Sequence, residues 1–152
     1  MLAIYIGIAY NTNMRPRIVI DTNIIVSALK SRNGGANKLL SIIGDDKYIS
    51  CISVPLILEY EEVTTRIFPR MPKQDINDLL DYICKESLQS PIYYLWRPIL
   101  KDPKDDMVLE VAVSSSADAI VTYNLKDFLP AKDFGIALAS PKEILIAIGV
   151  IK

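Results

Sequence analysis

The chain has 152 residues, 51% hydrophobic and 23% charged, enough for one domain with its own core and too few for two ordinary ones. With 17 basic and 18 acidic residues the net charge is −1, so a nucleic acid partner would have to be gripped by a local patch. The count of histidine is 0, which removes Ser-His and Cys-His nucleophile pairs, imidazole bases and His-ligated zinc. Cys51 and Cys84 form no CxxC motif and read as reduced core thiols of a cytoplasmic protein. Chemistry is left to carboxylates, hydroxyls, amides, Lys and Arg, working with a hard metal ion.

In chain order, residues 1–14, MLAIYIGIAYNTNM, read as an appendage to a domain over 15–152. The apolar run from Leu2 to Tyr10 is too short to span a bilayer and lacks the basic start and cleavage site of a signal peptide. It is either an extra edge strand or an extension preceding a natural start at Met14. Ile18 to Ile20 reads as a buried strand, and Ile24 to Leu29 and Ala36 to Ile43 as helix interrupted by the turn at Asn33 to Gly35. Tyr48 to Ile52 is a second strand, followed by a helix from Val54 to Arg66 with Ser53 as its N-cap and Pro55 in its first turn.

Lys73 to Glu86 carries Ile76, Leu79, Leu80 and Ile83 at i, i+3, i+4, i+7, an amphipathic helix. Ile92 to Trp96 reads as a third strand. KDPKDDMVLEVAV then opens a helix with Asp102 as cap, Pro103 in the first helical position and Asp105 where a capping box places an acid. Ala119 to Thr122 and Ile136 to Ala139 read as strands, and Ser140 to Glu143 opens the last helix with an S-x-x-E capping box. Short strands alternating with helices predict a three-layer α/β/α sandwich with a mostly parallel central sheet.

In open parallel sheets the site lies outside the carboxyl ends of the strands. Asp21 falls there, although an aspartate in that position also serves as a helix cap. Glu59 sits within the Val54 helix, where an isolated glutamate is usually one solvated acid among others. Asp106 is an additional acid at a helix N-terminus once Asp102 and Asp105 are assigned to capping, and Glu110 lies one turn further on the same face. The strand ending in Thr122 runs into a polar turn with Asn124 and Asp127, ordinary turn residues if taken alone. Several carboxylates converging on one cleft repel one another unless a cation compensates them. Mg²⁺ or Mn²⁺ supplies that charge, activates water and steadies a phosphate in transfer, so phosphodiester hydrolysis is within reach of a histidine-free chain.

From Arg17 to the end, the chain resembles the PIN-domain family of metal-dependent ribonucleases. The motifs that carry the resemblance are IVIDTNIIVSAL, SVPLILEYEEV with Glu59, KDPKDDMVLEVAVSSSADAIVTYNLKDF and the closing ASPKEIL. The subgroup it resembles is the bacterial PIN proteins described as toxin components of toxin-antitoxin pairs. The resemblance implies Asp21 and Asp106 as principal metal ligands and Glu59 as the third acid, with Thr22 and Asn23 beside the first ligand.

The family's fourth acid commonly follows the strand-ending threonine by two positions, and here that position is Asn124. Either Asn124 serves through its amide oxygen, or Asp127 swings in, or a second metal position is weak. The implied reaction is endonucleolytic hydrolysis of RNA by an activated water, leaving a 5′-phosphate and a 3′-hydroxyl. Lys30, Arg32 and Lys38 are candidates for gripping the substrate, unless they are ordinary solvated charges. The implied partners are RNA, a small antitoxin and a second copy of the chain, with the Lys73 helix and the N-terminal segment as candidate dimer contacts.

Three alternatives remain. A receiver-type domain needs an acidic pair after the first strand and a lysine after the last, and a haloacid-dehalogenase-like phosphatase needs D-x-D-x-T where this chain has DTNII. A catalytically weak PIN-fold module that binds RNA or antitoxin fits better, with Asn124 as its supporting feature.

Overall fold

The apolar run after Arg17 becomes β1, Arg17–Ile20, whose last three residues are completely enclosed. A strand buried on both faces has no polar side to show, which is why the run does not alternate. In this computed structural model, which describes residues 15–91 and 99–152, β1 is the centre of a five-stranded sheet in which every pairing is parallel. The order is β3-β2-β1-β4-β5, with β2 at Ile49–Ile52, β3 at Leu88–Gln89, β4 at Ala119–Val121 and β5 at Ala137–Ala139. Helices α1 (Thr22–Lys30), α2 (Gly35–Ser41), α3 (Val54–Ile67), α4 (Lys73–Glu86), α5 (Pro103–Ser114) and α6 (Pro141–Ala147) flank it, completing the α/β/α sandwich. Both the N-terminal appendage and the strand expected at Ile92 to Trp96 lie outside the described residues. Among the described residues, the strand beside β2 is the two-residue β3.

Local chemistry explains most helix starts. Ser53 accepts the Leu56 amide at 3.2 Å, with proline in the first turn of α3. Ser140 and Glu143 close a reciprocal capping box at α6, with bonds of 3.2 and 3.1 Å. Asp102 accepts the Lys104 amide at 2.9 Å to start α5. Each such cap is worth about 0.5–2 kcal/mol against alanine. α4 buries Ile76, Leu80 and Ile83, the stripe its spacing predicts. Cys51 is buried as expected, whereas Cys84 is exposed on α4, because it lies just past the inward-facing Leu80 on the helical wheel, at the edge of the buried stripe.

The core runs through both faces of the sheet, and each fully buried Ile or Leu contributes about 1.5–3 kcal/mol of burial free energy. Two buried tyrosines bring hydroxyls into it with their hydrogen bonds satisfied. Tyr48 donates to the Leu39 carbonyl at 2.6 Å, and Tyr60 on α3 donates to the Ile20 carbonyl at the end of β1. Among the described residues no helix is long and apolar enough to cross a membrane.

Register places the site. Ile20 stands opposite Val121 in β4, and Val121 opposite Ala139 in β5, so these strands end at one level. The chain leaves β1 toward β2 and leaves β4 toward β5, which makes the boundary between β1 and β4 the point where the connections part. Crevices at such switch points are where open parallel sheets bind ligands.

Candidate active site

Asp21 is the first residue past β1, hydrogen-bonded through its amide to the Val121 carbonyl at 2.9 Å. It occupies the N-cap position of α1, yet its side chain makes no capping bond. The carboxylate instead accepts the Thr122 hydroxyl proton at 2.7 Å, directly across the switch point. Thr122 Oγ1 also accepts the Asn124 amide at 2.9 Å, so its single proton is committed to Asp21. Burial holds the Asp21 carboxyl above the ordinary carboxylate range. The Thr122 hydroxyl and Thr22 amide pull it down, and Asp127 and Asp102 push it up.

A cleft of about 230 Å³ opens beside Asp21. Thr22 and Asn23 from the start of α1, Glu59 from α3 and Asn124 from the turn after β4 all line it, so five of the eight expected site residues share one wall system. Thr122 stands behind Asp21, fully buried. Asp127 is exposed and off the wall, near enough for its charge to raise both Asp21 and Asp105.

Asp106 does not reach the cleft wall. It is 1% exposed and turned inward, its Oδ1 accepting the Leu100 amide at 3.0 Å while Oδ2 is buried without a hydrogen-bond partner. The acid that α5 presents to the cleft is its neighbour Asp105, accompanied by Asp102 and Lys104. The Asp105 carboxyl is pushed up to about 7 by burial first, then by the negative charges of Asp21, Asp102, Asp127 and Asp106. Sequence reasoning passed over Asp105 because a capping-box role was assigned to it. Asp102 caps α5 through Lys104, which leaves the Asp105 side chain free to face the cleft. The D-P-x-D spacing was the available signal, since it puts a second acid one turn from the cap.

Arg32 and Lys38 are not beside the acids. With Lys142 they border a second cleft, about 490 Å³, between α2 and α6, and Lys30 lines neither.

The donors around the acidic cleft are all oxygens, and Asn23 Oδ1 is buried there with no hydrogen-bond partner. That set suits a hard divalent cation. Among the described residues no three Asp, Glu or Cys side chains stand together as a ready-made cage. Mg²⁺ commonly takes one or two carboxylates and completes its shell with water and substrate phosphates, so an open set of donors fits it where a closed Ca²⁺ or Zn²⁺ cage is not required.

Residues 17–126, well over half of the chain, match the PIN domain. The protein belongs to the PIN-domain family, whose members are generally nucleases. Among solved structures it is similar to the crystal structure of VapBC2 from Rickettsia felis bound to a DNA fragment from their promoter. That likeness has a TM-score of 0.56 at 16% identity over 82% of this chain and 98% of the other. A comparison with the curated proteins finds no significant match.

Proposed function

We propose that this PIN-domain protein is a metal-dependent endoribonuclease and the toxin of a toxin-antitoxin pair. The observation that carries the nuclease reading is the meeting of Asp21, Glu59 and Asp105 on one cleft at the switch point of the sheet. The toxin reading rests on the resemblance of the motifs and on a fold shared with VapBC2.

Asp21 and Asp105, with Glu59 and the Asn23 amide oxygen, would hold Mg²⁺ or Mn²⁺, which when bound lowers the pKa of water and neutralises charge on the phosphate. Asp21 is oriented for this by the Thr122 proton, which fixes one carboxylate oxygen. Glu59, with a side chain 11% exposed, orients the attacking water and accepts its proton. Water oxygen bonds to phosphorus as the bond to the 3′-oxygen breaks, and the leaving 3′-oxygen takes a proton from solvent, giving a 5′-phosphate and a 3′-hydroxyl. No 2′-hydroxyl attack is involved, which suits a chain without histidine.

Asn124 on the cleft wall, where the family commonly has an acid, favours a second reading: a catalytically weak module that binds RNA or antitoxin. Mn²⁺-stimulated cleavage of single-stranded RNA by wild type and Asp21→Asn separates the two. Cleavage lost in the variant supports the enzyme, and equal background in both supports the binder. Metal-dependent cleavage that survives in the variant overturns the role of Asp21.

A further inference from the structure

Among the described residues, Lys104 is the sole cation that lines the acidic cleft. Its ammonium lies 3.8 Å from Glu59 Oε1 and 4.0 Å from Glu62 Oε2, reaching from the first turn of α5 across to α3. The α5 backbone gives no reason for a cation there, because the dipole at a helix N-terminus disfavours positive charge. The acids across the cleft do give one. Both contacts are longer than a hydrogen bond, and the lysine side chain is 54% exposed while that of Glu59 is only 11% exposed. The carboxylate is therefore held in place and the ammonium is the exchangeable member of the pair.

We propose that Lys104 is a built-in counter-cation that competes with the divalent ion for Glu59. This rests on the metal-dependent reading above. Lys104 offsets part of the mutual repulsion of the cleft acids and must move aside for a divalent ion to use the Glu59 carboxylate, since two cations on one carboxylate repel. Its role is to position Glu59 and to set the metal concentration at which the site fills.

The test is calorimetric titration of Mn²⁺ into the whole protein, with no RNA present. Lys104→Gln is expected to bind Mn²⁺ about two- to fivefold more tightly than wild type, the range that a half-exposed ion pair commands. Lys104→Arg keeps the wild-type affinity, because it keeps the charge. In a Glu59→Gln background, adding Lys104→Gln changes nothing further, since the carboxylate under competition is gone. Wild-type binding that Lys104→Gln leaves unchanged or weakens overturns this inference alone. A gain that persists in the Glu59→Gln background also overturns it, by showing a general charge effect in place of competition for Glu59. Wild type that binds no Mn²⁺ overturns the metal reading and this inference with it.

Discussion

Asp105 and Asp106 are adjacent in sequence and have opposite surroundings. Asp105 shares a cleft wall with Asp21 and Glu59, whereas Asp106 is sealed against the Leu100 amide. Asp105→Asn removes one charge from the donor set. It is expected to weaken Mn²⁺ binding and RNA cleavage beyond the roughly 10–100-fold that loss of an outer-shell partner costs. Asp106→Asn keeps an oxygen to accept the Leu100 amide, and both properties are expected to stay within about threefold of wild type. Calorimetry and a cleavage assay on the two variants check this, and an Asp106→Asn protein as inactive as Asp105→Asn would return the ligand role to Asp106. Helical periodicity could not separate them because α5 has almost no solvent face. Asp106, Val108, Leu109, Glu110, Val111 and Ala112 are all buried, so the helical period that identifies the inner face of α4 carries no information here.

At the scale of elements, the site depends on how α3 is fastened to the end of β1. Tyr60 does this by donating its hydroxyl to the Ile20 carbonyl, one residue before Asp21, from a position 1% exposed. Tyr60→Phe leaves that buried carbonyl without its partner and is expected to cost about 1–3 kcal/mol. In a chain of this size that is about 2–12 °C in Tm by thermal melting. Cleavage is expected to fall as well, because the loosened strand end carries Asp21.

Ser140→Ala removes the cap of α6, away from the acidic cleft, and is expected to lower stability by about 0.5–2 kcal/mol with cleavage unchanged. A Tyr60→Phe effect confined to stability would show that the strand end holds its place without α3. Caps at Ser53, Asp102 and Ser140 and the stripe of α4 were legible in the sequence, because each is written within one or two turns of chain. The Tyr60 bond joins residues 40 apart, and β3 is two residues long with both exposed, so neither leaves a local pattern to read. The 3-10 segment Leu125–Phe134, closed by Gly135 at a left-handed φ of 74°, read only as a polar turn because Pro130 and the tighter three-residue turns break any α-helical period.

At the scale of the whole molecule, the acids gathered at one end of the sheet link stability to pH and, on the proposed function, to metal. The Asp105 carboxyl sits at about 7 in the fold against 3.8 unfolded, and burial raises Asp21 in the same direction. Across that interval the folded protein binds more protons than the unfolded chain. Stability attributable to these groups is therefore fully present below about pH 4 and declines as pH rises to about 7, after which their contribution levels off. A divalent ion binds the deprotonated carboxylates, so it opposes the decline where the decline is complete.

Melting measured with chelator and with Mn²⁺ at pH 5 and pH 8 is expected to show a larger Mn²⁺-induced rise in Tm at pH 8. In Asp105→Asn the chelator-treated protein is expected to lose less Tm between pH 5 and pH 8 than wild type, and the Mn²⁺ increment is expected to shrink. An equal Mn²⁺ increment at both pH values, or a pH dependence that Asp105→Asn leaves intact, would mean that the ion is held elsewhere. The acids of the cleft would then be a cluster restrained by the fold and by Lys104, with no part in binding metal.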